Sequence, residues 1–385
     1  MNSDELLRPW YDRLVEDLPG LRLFDAHTHI GADDPDGFRS AAPDLVASLA
    51  TVGARGVVFP MQEPGGYPAA NDRVLEASAS SEGRLVPFCR LDPAHDPVAE
   101  LERCLAAGAR GVKLHPRAES FSLADPQVEG IFAIAAERRL PVLVHAGRGI
   151  PALGRHALEL SERFPDARLI LAHAGICDLS WIWRHAPEHP NLFFDTAWWS
   201  SVDLLALLAL VPPGQVLFAS DAPYGTPLQA AVMTLRCALQ VGLRPEQVVG
   251  VAGGQLERVL AGEDALDLGP APGTSALCGD VLLERIDSFL VNAIGRLFTD
   301  QSAEEPVALA RLAAEVGEDA PQAAVCRSVL ALLDYYENVV AESVNGGGPQ
   351  RPGTHLVVTA AGLARTPDVP LPPDPEPVSV GERSA

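Results

Sequence analysis

The chain has 385 residues, 47% of them hydrophobic, with 29 Lys+Arg against 51 Asp+Glu and a formal charge of −22. So acidic a surface repels phosphate backbones and anionic lipid, which argues against nucleic-acid and membrane-surface partners. The six cysteines (Cys89, Cys104, Cys177, Cys237, Cys278 and Cys326) are scattered, without the close pairing of a zinc knuckle or disulfide framework, and are expected as free thiols in a cytoplasmic protein. Residues 1–20 open with an amphipathic helix rather than a signal peptide, and no uncharged apolar run is long enough to span a bilayer.

From Leu21 to about Gly262 one grammar repeats: a short apolar run ending in small or polar residues, then a helical stretch rich in Ala, Leu, Glu and Arg. The predicted strands are Leu21–Ile30, Gly56–Met61, Leu85–Leu91, Gly111–His115, Val142–Ala146, Leu169–Ala174, Leu192–Thr196 and Val216–Ser220. Runs such as Val142-Leu143-Val144 suit parallel strands covered by helices on the outside. Eight such units in series predict an α/β fold, a (β/α)8 TIM barrel over residues 21–262. A Pro/Gly/Ser linker is expected over 263–275. A helical extension follows over 276–345, with helices at Ala276–Phe298, Pro306–Glu315 and Gln322–Glu342. Residues 346–385 are expected to form a flexible tail, which opens on a glycine run and after Thr366 is so proline-dense as to be extended and mostly disordered.

The first strand ends Asp25-Ala26-His27-Thr28-His29, which points His27 and His29 the same way, as side chains two apart on a strand do. Alone, that pair fits core histidines as well as metal ligands. The fifth strand, however, ends in His145, the sixth in His173 and the eighth in Asp221, each where an apolar run stops. In a barrel those ends form the catalytic face, and five convergent ligand-capable groups there are hard to explain as packing.

These motifs resemble the amidohydrolase superfamily, in particular its amidohydrolase-related family that includes aminocarboxymuconate-semialdehyde decarboxylase. The resemblance covers about Leu21–Leu260. It implies that His27, His29, His145 and Asp221 hold one divalent metal per chain, zinc by the chemistry of the donors. It also makes Asp221 the base for activated water and His173 the catalytic histidine.

Softer candidates flank that set. Lys113, the only lysine in the chain, ends the fourth strand with His115 two residues on. It is expected either as an ammonium for a substrate carboxylate or developing oxyanion, or as a modified metal bridge; a structural ion pair is the plain alternative. Arg90 and Arg117 could bind a substrate carboxylate, Asp195 could support a ligand or touch substrate, and Trp198 with Trp199 could wall the pocket. The remaining histidines are expected in solvent.

Together these features predict a metal-dependent hydrolase acting on an amide, lactone or ester of a small carboxylate-bearing molecule. A non-oxidative decarboxylase of an unsaturated or aromatic acid is the alternative, and a silent binding barrel with partner-docking helices is a third. The stretch Gly111-Val112-Lys113-Leu114-His115-Pro116 resembles the family's hydrolases more than its named decarboxylases, which implies the hydrolase. The apolar stripe of the first C-terminal helix must be covered, either by its own chain or in a homodimer.

Overall fold

The computed structural model describes residues 3–147, 149–277, 279–342 and 351–373. The chain divides into two compact units, Leu18–Leu277 and a second made of Met1–Asp17 with Cys278–Ala385. Helix α1 (Ser3–Val15) opens the second unit.

The larger unit contains eight parallel strands. They are β1 (Phe24–Ile30), β2 (Arg55–Pro60), β3 (Leu85–Pro87, resuming at Cys89–Arg90 after an interruption at Phe88), β4 (Val112–Leu114), β5 (Pro141–Val144), β6 (Arg168–Leu171), β7 (Leu192–Asp195) and β8 (Val216–Leu217). The first part of β3 pairs with β2 and the second with β4, so β3 joins a three-stranded and a six-stranded run. The ring closes between β1 and the residues after β8. There the Ala26 amide donates to the Phe218 carbonyl (2.9 Å), the Asp221 amide to His27 (2.9 Å) and the His29 amide to Ala222 (2.7 Å). This is the expected TIM barrel.

Its core is built from strand residues facing inward, among them Phe24, Ala26, Val57, Phe59, Leu143, Ile170 and Leu217. The outer helices are α2 (Ala42–Ala50), α3 (Pro68–Ala79), α4 (Pro97–Ala106), α5 (Pro126–Glu137), α6 (Leu153–Arg163), the single turn α7 (Leu179–Ile182), α8 (Ser201–Leu210) and α9 (Pro227–Gln240). Four of them begin with proline, whose missing N–H costs nothing at a first helical position. The last unit runs from α10 (Pro245–Val249) through a π turn at Gly250–Gly254 into α11 (Gln255–Leu260). In that turn a Cβ on Gly253 would lie 2.4 Å from the Arg22 carbonyl, so only glycine lets the helix seat against the start of β1.

Two expectations about the chain's organisation need correction. Residues 263–275 are not a free linker. The Leu266 amide donates to Gln255 Oε1 (2.9 Å), Gln247 Nε2 to the Leu268 carbonyl (2.7 Å) and the Gly273 amide to Ala209 (2.8 Å), which ties the segment to the barrel as far as Leu277. The region expected as a flexible tail contains a helix, α15 (Thr354–Arg365), with Leu356, Val357, Ala360 and Leu363 buried. Its apolar spacing outweighs the prolines that begin after it. Of the same expectation, residues 346–350 and 374–385 lie outside the described residues.

The smaller unit holds α12 (Val281–Phe298), α13 (Glu304–Ala314), α14 (Ala323–Glu342), α15 and α1. Asp280 caps α12 by accepting from the Leu282 and Leu283 amides, which starts this helix later than its sequence pattern suggests. Leu283, Ile286, Leu290, Ile294 and Leu297 form its buried stripe, and α12 packs on α13 and α15. Fully burying each such side chain contributes roughly 1.5–3 kcal/mol. Among the described residues no helix is long and apolar enough to cross a membrane.

Candidate active site

A shift of register between Asp25 and Thr28 interrupts the β1–β2 ladder just where the histidine motif begins. Bulges of this kind re-aim side chains, and here Phe24 and Ala26 fill the barrel core while His27 and His29 meet above it. Asp25 stays below and holds the turn, its Oδ1 accepting from the backbone amides of His27 and Ser220, both at 3.0 Å.

His27, His29 and Asp221 come together. Asp221 Oδ1 lies 3.1 Å from His27 Nε2 and 3.0 Å from His29 Nε2, and one ligand-capable atom from each residue falls within 4.8 Å of the others. Burial, with the positive charge of Lys113 next in weight, holds both imidazoles far below their usual pKa and so neutral. His27 Nδ1 meets Asp195 Oδ2 at 2.8 Å, which places its proton on Nδ1 and leaves a lone pair on Nε2. That lone pair faces a carboxylate oxygen. Two acceptors in contact need a proton or a cation between them, and two neutral imidazoles with one carboxylate form a donor set suited to a divalent metal. The residues present fit such an ion.

Lys113 supplies a resident cation close by. Its side chain is buried, with Nζ 3.1 Å from His27 Nε2 and 4.7 Å from the Phe59 ring centre. Burial lowers its pKa, while the carboxylates of Asp221 and Asp195 oppose that fall. Asp221 is raised for the same reason, and the charges of His173 and Lys113 hold it down in part.

His145 does not join the three-residue cluster. Its Nδ1 lies 2.9 Å from His173 Nε2, and its ring stacks on His115 at 3.7 Å. His173 Nδ1 is 2.8 Å from the Ala197 carbonyl, so the proton order runs from His145 to His173 to that carbonyl. His173 also reaches Asp221 Oδ2 at 4.0 Å. A Cβ on Gly147 would sit 2.5 Å from His145 Nε2, so the glycine after this strand makes room for the ring. His173, Ala174 and Asp221 all have left-handed φ (56°, 57° and 59°), a backbone conformation that concentrates at functional sites.

Asp195 is a support for neighbours on both sides: its other oxygen accepts from the amides of His173 (2.8 Å) and Ala197 (3.0 Å). Trp198 stands beside His173 with ring centres 6.0 Å apart, fixed by its indole N–H to Asp203 at 2.8 Å. Arg90 reaches this end of the barrel as the register partner of Lys113, yet its guanidinium is already engaged, with Glu119 at 2.7 Å and the Pro60 carbonyl at 3.3 Å. It is therefore not a free fork for a substrate carboxylate. Arg117 is exposed and makes no described contact with the cluster. Of the histidines expected in solvent, His189 is buried at the opposite end of the barrel, bonded to Ser161 at 3.1 Å.

A cavity of about 550 Å³ opens between the loops after β2, β3 and β4, lined in part by Gln62, Tyr67, Arg90, His95 and Glu119. Tyr67 donates to Glu119 at 2.6 Å, so Glu119 organises the wall between cavity and cluster. Sequence reasoning missed Glu119, Tyr67 and Tyr224. None sits at a strand end, and their partners lie on other loops.

The comparisons with known proteins agree with this geometry. A family model described as Amidohydrolase matches residues 24–241. No curated protein matches the chain. Among solved structures, an uncharacterised TIM-barrel protein from Bordetella bronchiseptica is 17% identical (TM-score 0.52), the match covering 63% of this chain and 99% of that one. The 5-carboxyvanillate decarboxylase of Sphingomonas paucimobilis is 17% identical over 63% and 99% of the two chains (TM-score 0.50). A 2,6-dihydroxybenzoate decarboxylase bound to 2,6-dihydroxybenzoate is 16% identical over 63% and 98% (TM-score 0.50). At such identities these structures speak for the barrel, while the family match spans more than half the sequence. The chain belongs to the amidohydrolase family, as an enzyme built on its TIM barrel.

Proposed function

We propose that this enzyme is a metal-dependent hydrolase that directs water at an amide, lactone or ester carbonyl of a small carboxylate-bearing molecule. The observation that carries the reading is the Asp221 Oδ1 contact with two imidazole Nε2 atoms, one of which has its lone pair turned inward. A divalent ion held by His27, His29 and Asp221, zinc by donor type, supplies water acidification and carbonyl polarisation when bound. Asp221 Oδ2, the oxygen turned toward His173, is then the acceptor for the proton that water must lose. His173 orients that water or polarises the substrate through Nε2, which must exchange its His145 partner to do so. Lys113 stabilises negative charge developing on the carbonyl oxygen or holds the substrate carboxylate, with His115 beside it. The engagement of Arg90 by Glu119 leaves Lys113 as the cation for that carboxylate.

A decarboxylase on the same residues is the second reading, favoured by the decarboxylases among the structural neighbours. Metal analysis of the purified protein, followed by a screen of lactones, amides, esters and unsaturated carboxylates with Asp221→Asn as control, tests both. The hydrolase reading expects about one divalent ion per chain and metal-dependent acid release from a lactone, amide or ester. CO2 release from an unsaturated or aromatic acid, without hydrolysis, supports the second reading instead. Activity in metal-free protein unaffected by strong chelators overturns both.

A further inference from the structure

The two histidines of the motif are held by different means. His27 has the Asp195 carboxylate on its outer nitrogen at 2.8 Å. His29 has no side chain hydrogen-bonded to its buried Nδ1, and the Pro60 carbonyl faces the ring without reaching hydrogen-bond geometry. Rings flank it instead: Phe59 meets His29 edge-on at 4.5 Å and 77°, and Tyr224 at 5.4 Å and 89°. Phe59 belongs to β2 and is part of the rigid core. Tyr224 lies in the loop three residues after Asp221 and is itself held from outside. Its hydroxyl donates to Asp34 Oδ1 at 3.0 Å, and its ring packs on Phe38 at 4.6 Å.

Asp34 and Phe38 lie on the loop that leaves β1 directly after the histidine motif. The loop is closed at its base by a two-way backbone pair between Gly31 and Ser40, at 3.0 and 2.9 Å. Within it Asp34 and Phe38 are half-buried, while their neighbours Asp33, Pro35, Asp36, Gly37 and Arg39 are exposed. The loop therefore turns two side chains inward, and both touch Tyr224.

We infer that Tyr224 is the positioning residue for His29, completing an aromatic clamp with Phe59 that the Asp34–Phe38 loop holds shut. The inference rests on the metal-centre reading above and extends it to a residue outside the donor set. Edge-to-face contacts fix the plane of an imidazole, as a hydrogen bond to its outer nitrogen does. Losing an outer partner of a metal-binding histidine typically lowers metal affinity by roughly 10–100-fold.

The test compares wild type with Tyr224→Leu and Tyr224→Phe. One arm titrates cobalt(II) against a competing chelator and records the visible ligand-field spectrum. The other records imidazole nitrogen–proton correlations of the metal-free, nitrogen-labelled proteins, in which His29 is followed directly. Tyr224→Leu should bind cobalt about 10–100-fold more weakly, with an altered spectrum and a broadened or shifted His29 signal. Tyr224→Phe keeps the ring but gives up the Asp34 hydrogen bond, so its affinity should lie between those of wild type and Tyr224→Leu. If Tyr224→Leu lowers the melting temperature but leaves cobalt affinity, spectrum and the His29 signal unchanged, Tyr224 is packing alone and the inference falls. If wild type binds no cobalt, the metal reading falls, and the His29 signal of the metal-free variants still decides the clamp. Should Tyr224→Leu fail to fold, Asp34→Ala replaces it, with partial loss of the sharp His29 signal expected and an unchanged signal counting against the clamp.

Discussion

His27 and Asp195, 168 residues apart in sequence, meet at 2.8 Å through Nδ1 and Oδ2, both side chains fully enclosed. The other Asp195 oxygen is committed to two backbone amides, so an asparagine here must turn its NH2 toward His27. That forces the imidazole proton onto Nε2, where it covers the lone pair the metal needs. Asp195→Asn is expected to weaken divalent-metal binding by roughly 10–100-fold, read by chelator competition. Unchanged affinity would show that the tautomer of His27 does not matter.

Lys113 is enclosed between His27 and the Phe59 ring. Arginine keeps the charge but needs more volume, cannot surrender its proton and spreads its charge over a plane. Lys113→Arg should cost at least ~100-fold in kcat/KM and, by overpacking, about 1–3 kcal/mol of stability. Lys113→Met fits the space without the amine and should lose activity while keeping more of the stability. Steady-state kinetics with denaturant titration separates the two effects, and an active Lys113→Met would remove the lysine from the mechanism.

The barrel unit extends to Leu277, past the point where its last regular helix ends. Truncating the chain after residue 262 removes the backbone partners of Gln247, Gln255 and Ala209, and truncating it after residue 277 keeps them. The shorter form should melt several degrees lower and aggregate more readily in calorimetry and light scattering. Equal melting temperatures would mean those hydrogen bonds add nothing.

Asp287 is buried in α12, where burial raises its pKa to about 6, opposed by Arg365 and assisted by Glu284. A carboxyl group that is harder to ionise folded than unfolded destabilises the native state when it is charged. Between about pH 6 and the usual carboxylate range the native state binds more protons, so stability should rise as the pH falls through that window. Asp287→Asn should raise stability at pH 7 by about 1–3 kcal/mol and flatten this part of the profile. A wild-type profile with no such slope would place the carboxyl in contact with water.

The barrel was legible because each strand is a short apolar run and each helix follows at regular spacing. Strand ends exposed His27, His29, His145, His173, Asp221 and Lys113 in the same way, since a polar residue closing such a run is conspicuous. What sequence could not show was how donors divide among partners. His145 turns its Nδ1 to His173 instead of joining the three-residue cluster, and Arg90 pairs with Glu119, because these choices depend on loop paths. Tyr224 and Asp34 meet across 190 positions with no shared motif. The last helix was hidden for a compositional reason: the glycine run before it and the prolines after it mask twelve residues of ordinary helical spacing.

The interruption of β3 at Phe88 bears on how the barrel breathes. Backbone pairing there passes from one neighbour to the other, through a Phe88 amide bonded to Val58 and a Cys89 amide bonded to Gly111, at 2.9 and 3.0 Å. Pairing nevertheless continues across the joint, since the Arg110 amide bonds to Pro87 at 2.8 Å and the Leu91 amide to Lys113 at 3.2 Å, so the two runs form one sheet. The cavity beside Arg90 is bounded by the loops after β2, β3 and β4. A change in its width is therefore expected to come from those loops rather than from a parting of the strands beneath them.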